Sequence, residues 1–185
     1  PIGFPYLCLT VSGGHTQLIE VRSPSAMTVL GETIDDAVGE AFDKAAKILG
    51  LPYPGGPHID QLSATGDSTF MSFNESNLPD YNFSFSGMKT SFLYSLQKEM
   101  KANPSFIKDH LNDICASYQA ALIKVLMKKV KAAQKSTGIK NVAIAGGVSA
   151  NSGLRAALMQ WGEQSDISIY LPPFQYTTDN AAMIG

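Results

Sequence analysis

The sequence is short of cysteine, of arginine and of long apolar runs, and each shortage excludes something. Only Cys8 and Cys115 are present. They lie far apart and in no C-x-x-C or zinc spacing, which argues against a disulfide framework and for a reducing compartment, the cytoplasm. Arginine occurs only at Arg22 and Arg155, so base readout by guanidinium forks is disfavoured. No apolar run approaches the roughly 18 residues of a membrane span, and the N-terminus lacks the basic-then-apolar layout of a signal peptide, so no membrane partner is expected. Charge of one sign is scarce too: Lys+Arg 14 against Asp+Glu 16 leaves a net charge of -2. That excludes nucleic-acid binding by bulk charge alone but leaves room for a local basic patch. What is there is globular: 185 residues, 44% hydrophobic and 16% charged, enough for one domain with a core of its own.

Tyr6 to Val11 reads as an apolar strand, Ser12-Gly13-Gly14-His15-Thr16 as a glycine turn and Gln17 to Arg22 as a second strand. Ala37, Phe42, Ala45, Ala46, Ile48 and Leu49 fit a helix with an acidic first turn, closed by Gly50. PYPGGP (52–57) reads as a rigid loop before a helix from His58. Residues 63–82, rich in Ser, Asn, Gly and Asp, read as a long, flexible or partner-facing connection. Asn82 to Ser86 alternates like a strand, Met88 to Lys101 reads as a helix, and a long helix runs from Ile107 to Thr137, ending at Gly138. Asn141 to Ala145 is a short buried strand leading into GGVSAN (146–151) and a helix to Trp161. Ile167 to Leu171 is a further strand, halted by Pro172-Pro173, and Thr178-Asp179-Asn180 caps a last helix. Strands joined by helical crossovers make an α/β layered domain.

Chemistry can sit at the glycine turns, because backbone N–H groups at the carboxyl edge of a sheet attract anions. Gly13 and Gly14 let the backbone approach a phosphate, and Ser12 and Thr16 add hydroxyls; a plain hairpin turn needs the same S-G-G. GGVSAN offers its amides and the Asn151 side chain to an adenosine or ribose, while Ser149 or Asn151 fits a simple N-cap equally well. Asp35, Asp36, Glu40 and Asp43 are dense enough to hold a water, a hydroxyl or a hydrated metal, although such a run is usually a solvated helix face. Asp43, between Phe42 and the apolar run 45–49, is the one expected to turn inward. Asp179 is an N-cap or a metal ligand. His15 either donates to an anion or bonds its own turn. Lys124, Lys128, Lys131 and Lys135 form a stripe on one helix face, either solvated or facing RNA phosphates or a partner's acidic surface. The fingerprints G-x-G-x-x-G, G-x-x-x-x-G-K-[ST], H-E-x-x-H and G-x-S-x-G are all missing, which disfavours a Rossmann site, a Walker loop, a zinc peptidase and a serine hydrolase.

Taken together, SGGHTQL (12–18), GETIDDAVGEAFDKAAKILGLPYPGGP (31–57), FSFSGMKT (83–90), AGGVSANSGLR (145–155) and TTDNAAMIG (177–185) closely resemble the TsaD family. These are tRNA N6-adenosine threonylcarbamoyltransferases, formerly called O-sialoglycoprotein endopeptidases. The resemblance implies an actin-like ATPase fold of two ribonuclease-H-like halves around a nucleotide cleft. Residues 1–185 match the second, C-terminal half, so the N-terminal half with its H-x-x-x-H metal motif is expected elsewhere in a longer protein. The implied reaction moves a threonylcarbamoyl group from threonylcarbamoyl-AMP to the N6 amine of the anticodon-adjacent adenosine in tRNAs reading ANN codons.

Carried over by residue, the family's nucleotide and substrate contacts fall on Thr10, Val11, Ser12, Gly13, Gly14, Asp43, Gly56 and Asn151. Asp60 matches an acidic position of many members, and Asp179 matches a metal ligand. The implied cofactor is one divalent ion, iron by resemblance, with zinc and magnesium as alternatives, beside an adenylate or ATP-like nucleotide. His15, where archaeal and eukaryotic cytosolic relatives tend to carry asparagine, resembles the bacterial or mitochondrial branch. That branch implies tRNA, a TsaB-like paralogue and a TsaE-like ATPase as partners, and no DNA. A non-catalytic actin-like nucleotide-binding scaffold and a sugar or acetate-type kinase of the same fold are the alternatives weighed against it.

Overall fold

Leu7, Leu9 and Val11 are buried in alternation along Tyr6–Val11 (β1), which makes β1 the central strand of a five-stranded sheet. The computed structural model describes residues 2–75 and 78–178. Thr16–Ser23 (β2) pairs antiparallel with β1, from Tyr6 opposite Val21 to Val11 opposite Thr16. Ala26–Glu32 (β3) adds antiparallel to β2. On the other side Asn141–Ala145 (β4) runs parallel to β1, from Leu7 opposite Val142 to Thr10 opposite Ala145, and Ser168–Tyr170 (β5) runs parallel to β4. The order β3-β2-β1-β4-β5 joins an antiparallel meander to parallel strands. Parallel neighbours require helical crossovers, as the α/β reading expects.

Among the described residues six α-helices accompany the sheet: Val38–Ile48 (α1), Gly55–Ser63 (α2), Ser86–Ala102 (α3), Phe106–Asp109 (α4), Leu111–Thr137 (α5) and Ser152–Ser165 (α6). α1 buries Val38, Ala41, Phe42, Ala45 and Ala46 on one stripe. Full burial of a ring such as Phe42 contributes about 1.5–3 kcal/mol. The buried Thr16 hydroxyl accepts from Val38 N at 2.9 Å and satisfies the first turn of α1. α5 ends at Gly138, whose φ of 70° suits a residue without Cβ. Its buried Tyr118 packs against Phe92 of α3, ring centroids 4.5 Å apart, and against Phe73, 5.6 Å away.

Four expectations change. β3 was not expected; its leading residues Ala26 to Val29 are exposed, so no alternation marks them. Asn82 to Ser86 forms no strand and contributes only an isolated bridge, Thr33 to Phe83. α2 begins at Gly55, inside the expected PYPGGP loop, because Asp43 caps it from α1. The long helix breaks at His110 into α4 and α5.

The connection 63–82 is tied down over its described part. Phe73 is buried, Asp67 N donates to Asp113 and Met71 N to Ser117 Oγ. The buried Lys129 ammonium donates to the carbonyls of Leu78 and Asp80 at 2.7 and 2.8 Å. No helix among the described residues is long and apolar enough to cross a membrane.

Candidate functional site

Because β1 and β4 are parallel neighbours, the segments after Val11 and after Ala145 leave the sheet side by side at its carboxyl edge. Ligands of open α/β sheets bind at that edge. The two glycine turns therefore converge. Gly146, at φ 91°, lies so close to β1 that an added Cβ would stand 2.3 Å from the Val11 carbonyl oxygen. α1 enters from the first turn, with Gly39 N donating to the Ser12 carbonyl at 3.2 Å. One turn further along α1, Asp43 Oδ1 accepts from Gly55 N at 2.7 Å and caps α2, whose flanking residue Pro54 has no side-chain acceptor. From α2, Asp60 accepts from Ser152 N at 2.9 Å and from Ser152 Oγ at 2.7 Å, which docks α2 onto the start of α6. Asn151 closes the ring: its Oδ1 accepts from Leu154 N at 2.9 Å and its Nδ2 donates to Gln119 at 2.7 Å.

These elements enclose a cleft of about 460 Å³ lined by, among others, Gly13, Asp43, Gly56, Asp60, Gly147 and Asn151. The size suits a nucleotide-sized ligand. An added Cβ at Gly13, Gly14 or Gly147 would meet nothing within 4 Å. Packing does not demand glycine there, and the space above these backbones is left open to a ligand. Asp43 spends one oxygen on the Gly55 amide and Asp60 engages both of its oxygens with Ser152, so two carboxylates are held in fixed orientation beside the cleft.

Thus Gly13, Asp43, Gly56, Asp60 and Asn151 come together around one cleft. Thr10 and Val11 lie in β1, with the Val11 side chain in the core. Gly14 is exposed at the tip of the turn. Ser12 Oγ accepts from Gly14 N at 3.3 Å and His15 N at 3.0 Å, and Ser12 N donates to the His15 carbonyl at 2.8 Å. The Ser12 hydroxyl is spent inside a closed hairpin turn, and Thr16 caps α1; neither is held out as a phosphate donor. His15 is exposed.

Of the clustered carboxylates, only Asp43 lines the cleft. Asp36 and Glu40 bracket Lys44 at 2.6 and 2.9 Å. Asp35 caps α3, accepting from Ser84 Oγ at 2.6 Å, Phe85 N at 2.8 Å, and Ser86 through both Oγ and N. Partial burial pushes the Asp35 carboxyl up, but these bonds outweigh it and hold it below its ordinary value. The lysine stripe is exposed yet engaged: Lys124 pairs with Glu75 at 2.7 Å and Lys131 sits over the Trp161 ring.

Three contributors escaped the sequence reading. Gln119 is a buried polar side chain on the apolar face of α5, and that mismatch was its signal. Arg155 donates from Nη1 to the carbonyls of Ser149 and Pro172 at 3.0 and 3.1 Å, and its guanidinium lies 4.5 Å from the Phe174 ring. It thereby ties the cleft loop to the segment that carries Thr178 to the cleft. Tyr53, beside the cleft on PYPGGP, is the third.

Asp179 lies outside the described residues. Among the described residues no group of three or more His, Cys, Asp or Glu could hold a metal ion, so they do not by themselves fit a metal centre.

Solved structures share the architecture. Full-length HypF in its phosphate- and nucleotide-bound form superposes with a TM-score of 0.66 at 11% identity, covering 91% of this chain and 30% of that one. The activator of the 2-hydroxyisocaproyl-CoA dehydratase from Clostridium difficile, with bound ADPNP, gives 0.51 at 18%, covering 92% and 55%. Sheet order, crossovers and edge cleft thus define an α/β fold of the actin-like ATPase type.

Sequence narrows the class. The model of the family TsaD, tRNA N6-adenosine threonylcarbamoyltransferase, matches residues 1–185, and the chain belongs to that family. The protein of that name from Cytophaga hutchinsonii is 59% identical over 181 residues, covering 98% of this chain and 53% of the relative. That from Riemerella anatipestifer is 53% identical over 184 residues, covering 100% and 54%. The chain spans about half the length of the curated relatives it matches.

Proposed function

We propose that residues 1–185 form the second, C-terminal ribonuclease-H-like half of a threonylcarbamoyltransferase, acting on the anticodon-adjacent adenosine of tRNAs reading ANN codons. The observation that carries this reading is the cleft itself, where open glycines and two oriented carboxylates meet at one sheet edge in a chain of this family. Threonylcarbamoyl-AMP would lie with its phosphate over Gly13 and Gly147, where missing side chains permit close backbone approach. Its ribose hydroxyls would donate to Asp43 and Asp60, with Gly56 and Asn151 shaping the wall between them. Thr10, Val11, Ser12 and Gly14 act through the backbone that holds the turn in place.

In the transfer, the N6 lone pair of the target adenosine forms a bond to the carbamoyl carbon. The bond from that carbon to the AMP phosphate oxygen breaks, AMP leaves with the electron pair, and the N6 proton passes to solvent. The chain's residues bind and orient the adenylate and exclude water from its acyl carbon. Asp179 is read, by family resemblance, as the one ligand this chain gives to a divalent ion, iron before zinc or magnesium. tRNA, a TsaB-like paralogue and a TsaE-like ATPase are the partners of this reading, and the cytoplasm its compartment.

The test is transfer of labelled threonylcarbamoyl from threonylcarbamoyl-AMP to tRNA by the full-length protein with its companion subunits. Wild-type protein is expected to label tRNA, and Asp43→Ala to lose at least tenfold in kcat/KM, about 1.4 kcal/mol. Absence of labelling by the wild type overturns the reading. For Asp179→Ala, ion content after purification is expected to fall while the folded signal persists.

A further inference from the structure

Beside the cleft lies a second hollow of about 330 Å³, lined by Glu40, Asp43, Lys44, Lys47, Tyr53 and neighbours. Tyr53 and Asp43 border both spaces. Tyr53 is 84% exposed and makes no hydrogen bond or ring contact with any described residue. Its backbone is constrained, because Pro52 and Pro54 flank it with their own φ fixed and Asp43 anchors Gly55 two residues on. The ring itself stands bare between two concavities, with a face free to stack.

The charges around the second hollow are not equivalent. Lys44 is shared by Glu40 at 2.9 Å and Asp36 at 2.6 Å, and Asp43, which accepts from Gly55 N, keeps its negative charge. Lys47, exposed in the last turn of α1, makes no ion pair with any described residue. The hollow offers one ammonium outside any ion pair with described residues, Lys47, and one aromatic ring without a stacking partner, Tyr53. That is the pair needed for a single unstacked nucleotide, with its base on the ring and its phosphate on the ammonium.

We infer that this second hollow is the docking site of the acceptor nucleotide, an unstacked RNA adenosine. Tyr53 stacks the target base at the border of the cleft, and Lys47 contacts a phosphate beside it. The inference rests on the proposed transferase reading and adds the acceptor side to it.

The test uses the full-length protein with its companion subunits and separates donor from acceptor. Binding of a fluorescent anticodon stem-loop is measured by anisotropy, and binding of a non-hydrolysable acyl-adenylate analogue by calorimetry. Tyr53→Ala is expected to weaken stem-loop binding about tenfold and to leave analogue binding within about twofold; Tyr53→Phe, which keeps the ring, is expected to match wild type. Lys47→Ala is expected to weaken stem-loop binding and lower its log–log salt slope by about one. Weaker analogue binding with unchanged stem-loop binding in Tyr53→Ala would assign the ring to the donor adenine and overturn the inference. Unchanged binding of both would overturn it too. Because stem-loop affinity is read without turnover, these results stand apart from whether the wild type transfers the acyl group.

Discussion

At Gly13 and Gly14 an added Cβ meets nothing within 4 Å, whereas at Gly146 it would lie 2.3 Å from the Val11 carbonyl oxygen on a backbone at φ 91°. The two Gly-Gly pairs stand side by side at the ends of parallel strands, and their letters do not distinguish them. The first pair caps a hairpin already closed by Ser12, so its glycines leave room rather than fill a need of the fold. In the second pair the duties divide. Gly146 lets two strands approach, and Gly147, with open space above it, faces the cleft. Glycine that the fold demands and glycine that a ligand demands are therefore separable one residue apart.

Substitution breaks or sharpens that division. Gly146→Ala carries the largest expected effect, a backbone clash added to a left-handed conformation, and should cost at least about 3 kcal/mol or prevent folding, read by urea denaturation. Gly13→Ala and Gly147→Ala should leave the denaturation midpoint nearly unchanged but weaken acyl-adenylate binding by calorimetry about tenfold, roughly 1.4 kcal/mol. Equal stability loss at all three positions would erase the distinction. Two residues past Gly147 in the same loop, the fully buried Ser149 hydroxyl has no hydrogen-bond partner among the described residues. Ser149→Ala removes an unsatisfied polar group and should stabilise by up to about 1 kcal/mol. A loss of ligand affinity in that variant would show instead that the hydroxyl serves the bound state.

Much of this was legible in sequence because it is local. The β1 alternation, the Gly138 stop and the strand running into GGVSAN each depend on neighbours a few residues away. Asp43 was legible too, since a carboxylate inside an apolar run has to face something specific. β3 was not, because an edge strand with little burial has no period to read. The start of α2 was hidden in a proline-rich stretch, as its cap comes from Asp43, twelve residues earlier. The Asp60 to Ser152 contact spans 92 residues of sequence, and only the sheet order brings its ends together. The carboxylates 35, 36 and 40 read as one cluster with Asp43, although Asp35 binds the start of α3, Asp36 and Glu40 share Lys44, and Asp43 caps α2.

Asp35 offers the smallest test and extends the comparison from glycines to carboxylates. It shares the acidic run with Asp43 but faces α3, and hydrogen bonds from Ser84, Phe85 and Ser86 hold its carboxyl below the ordinary 3.8. A carboxyl lowered on folding adds stability that is present above 3.8 and fades as pH falls through its folded value. Asp35→Asn keeps an acceptor at that position but has nothing to titrate. Its denaturation midpoint should be slightly lower than wild type at pH 7 and should converge on wild type below the ordinary carboxylate range, with acyl-adenylate affinity at neutral pH unchanged. Asp43→Asn should reverse the pattern in the ligand assay, with acyl-adenylate binding weakened at neutral pH. Parallel behaviour of the two variants would mean that the run acts as one site after all.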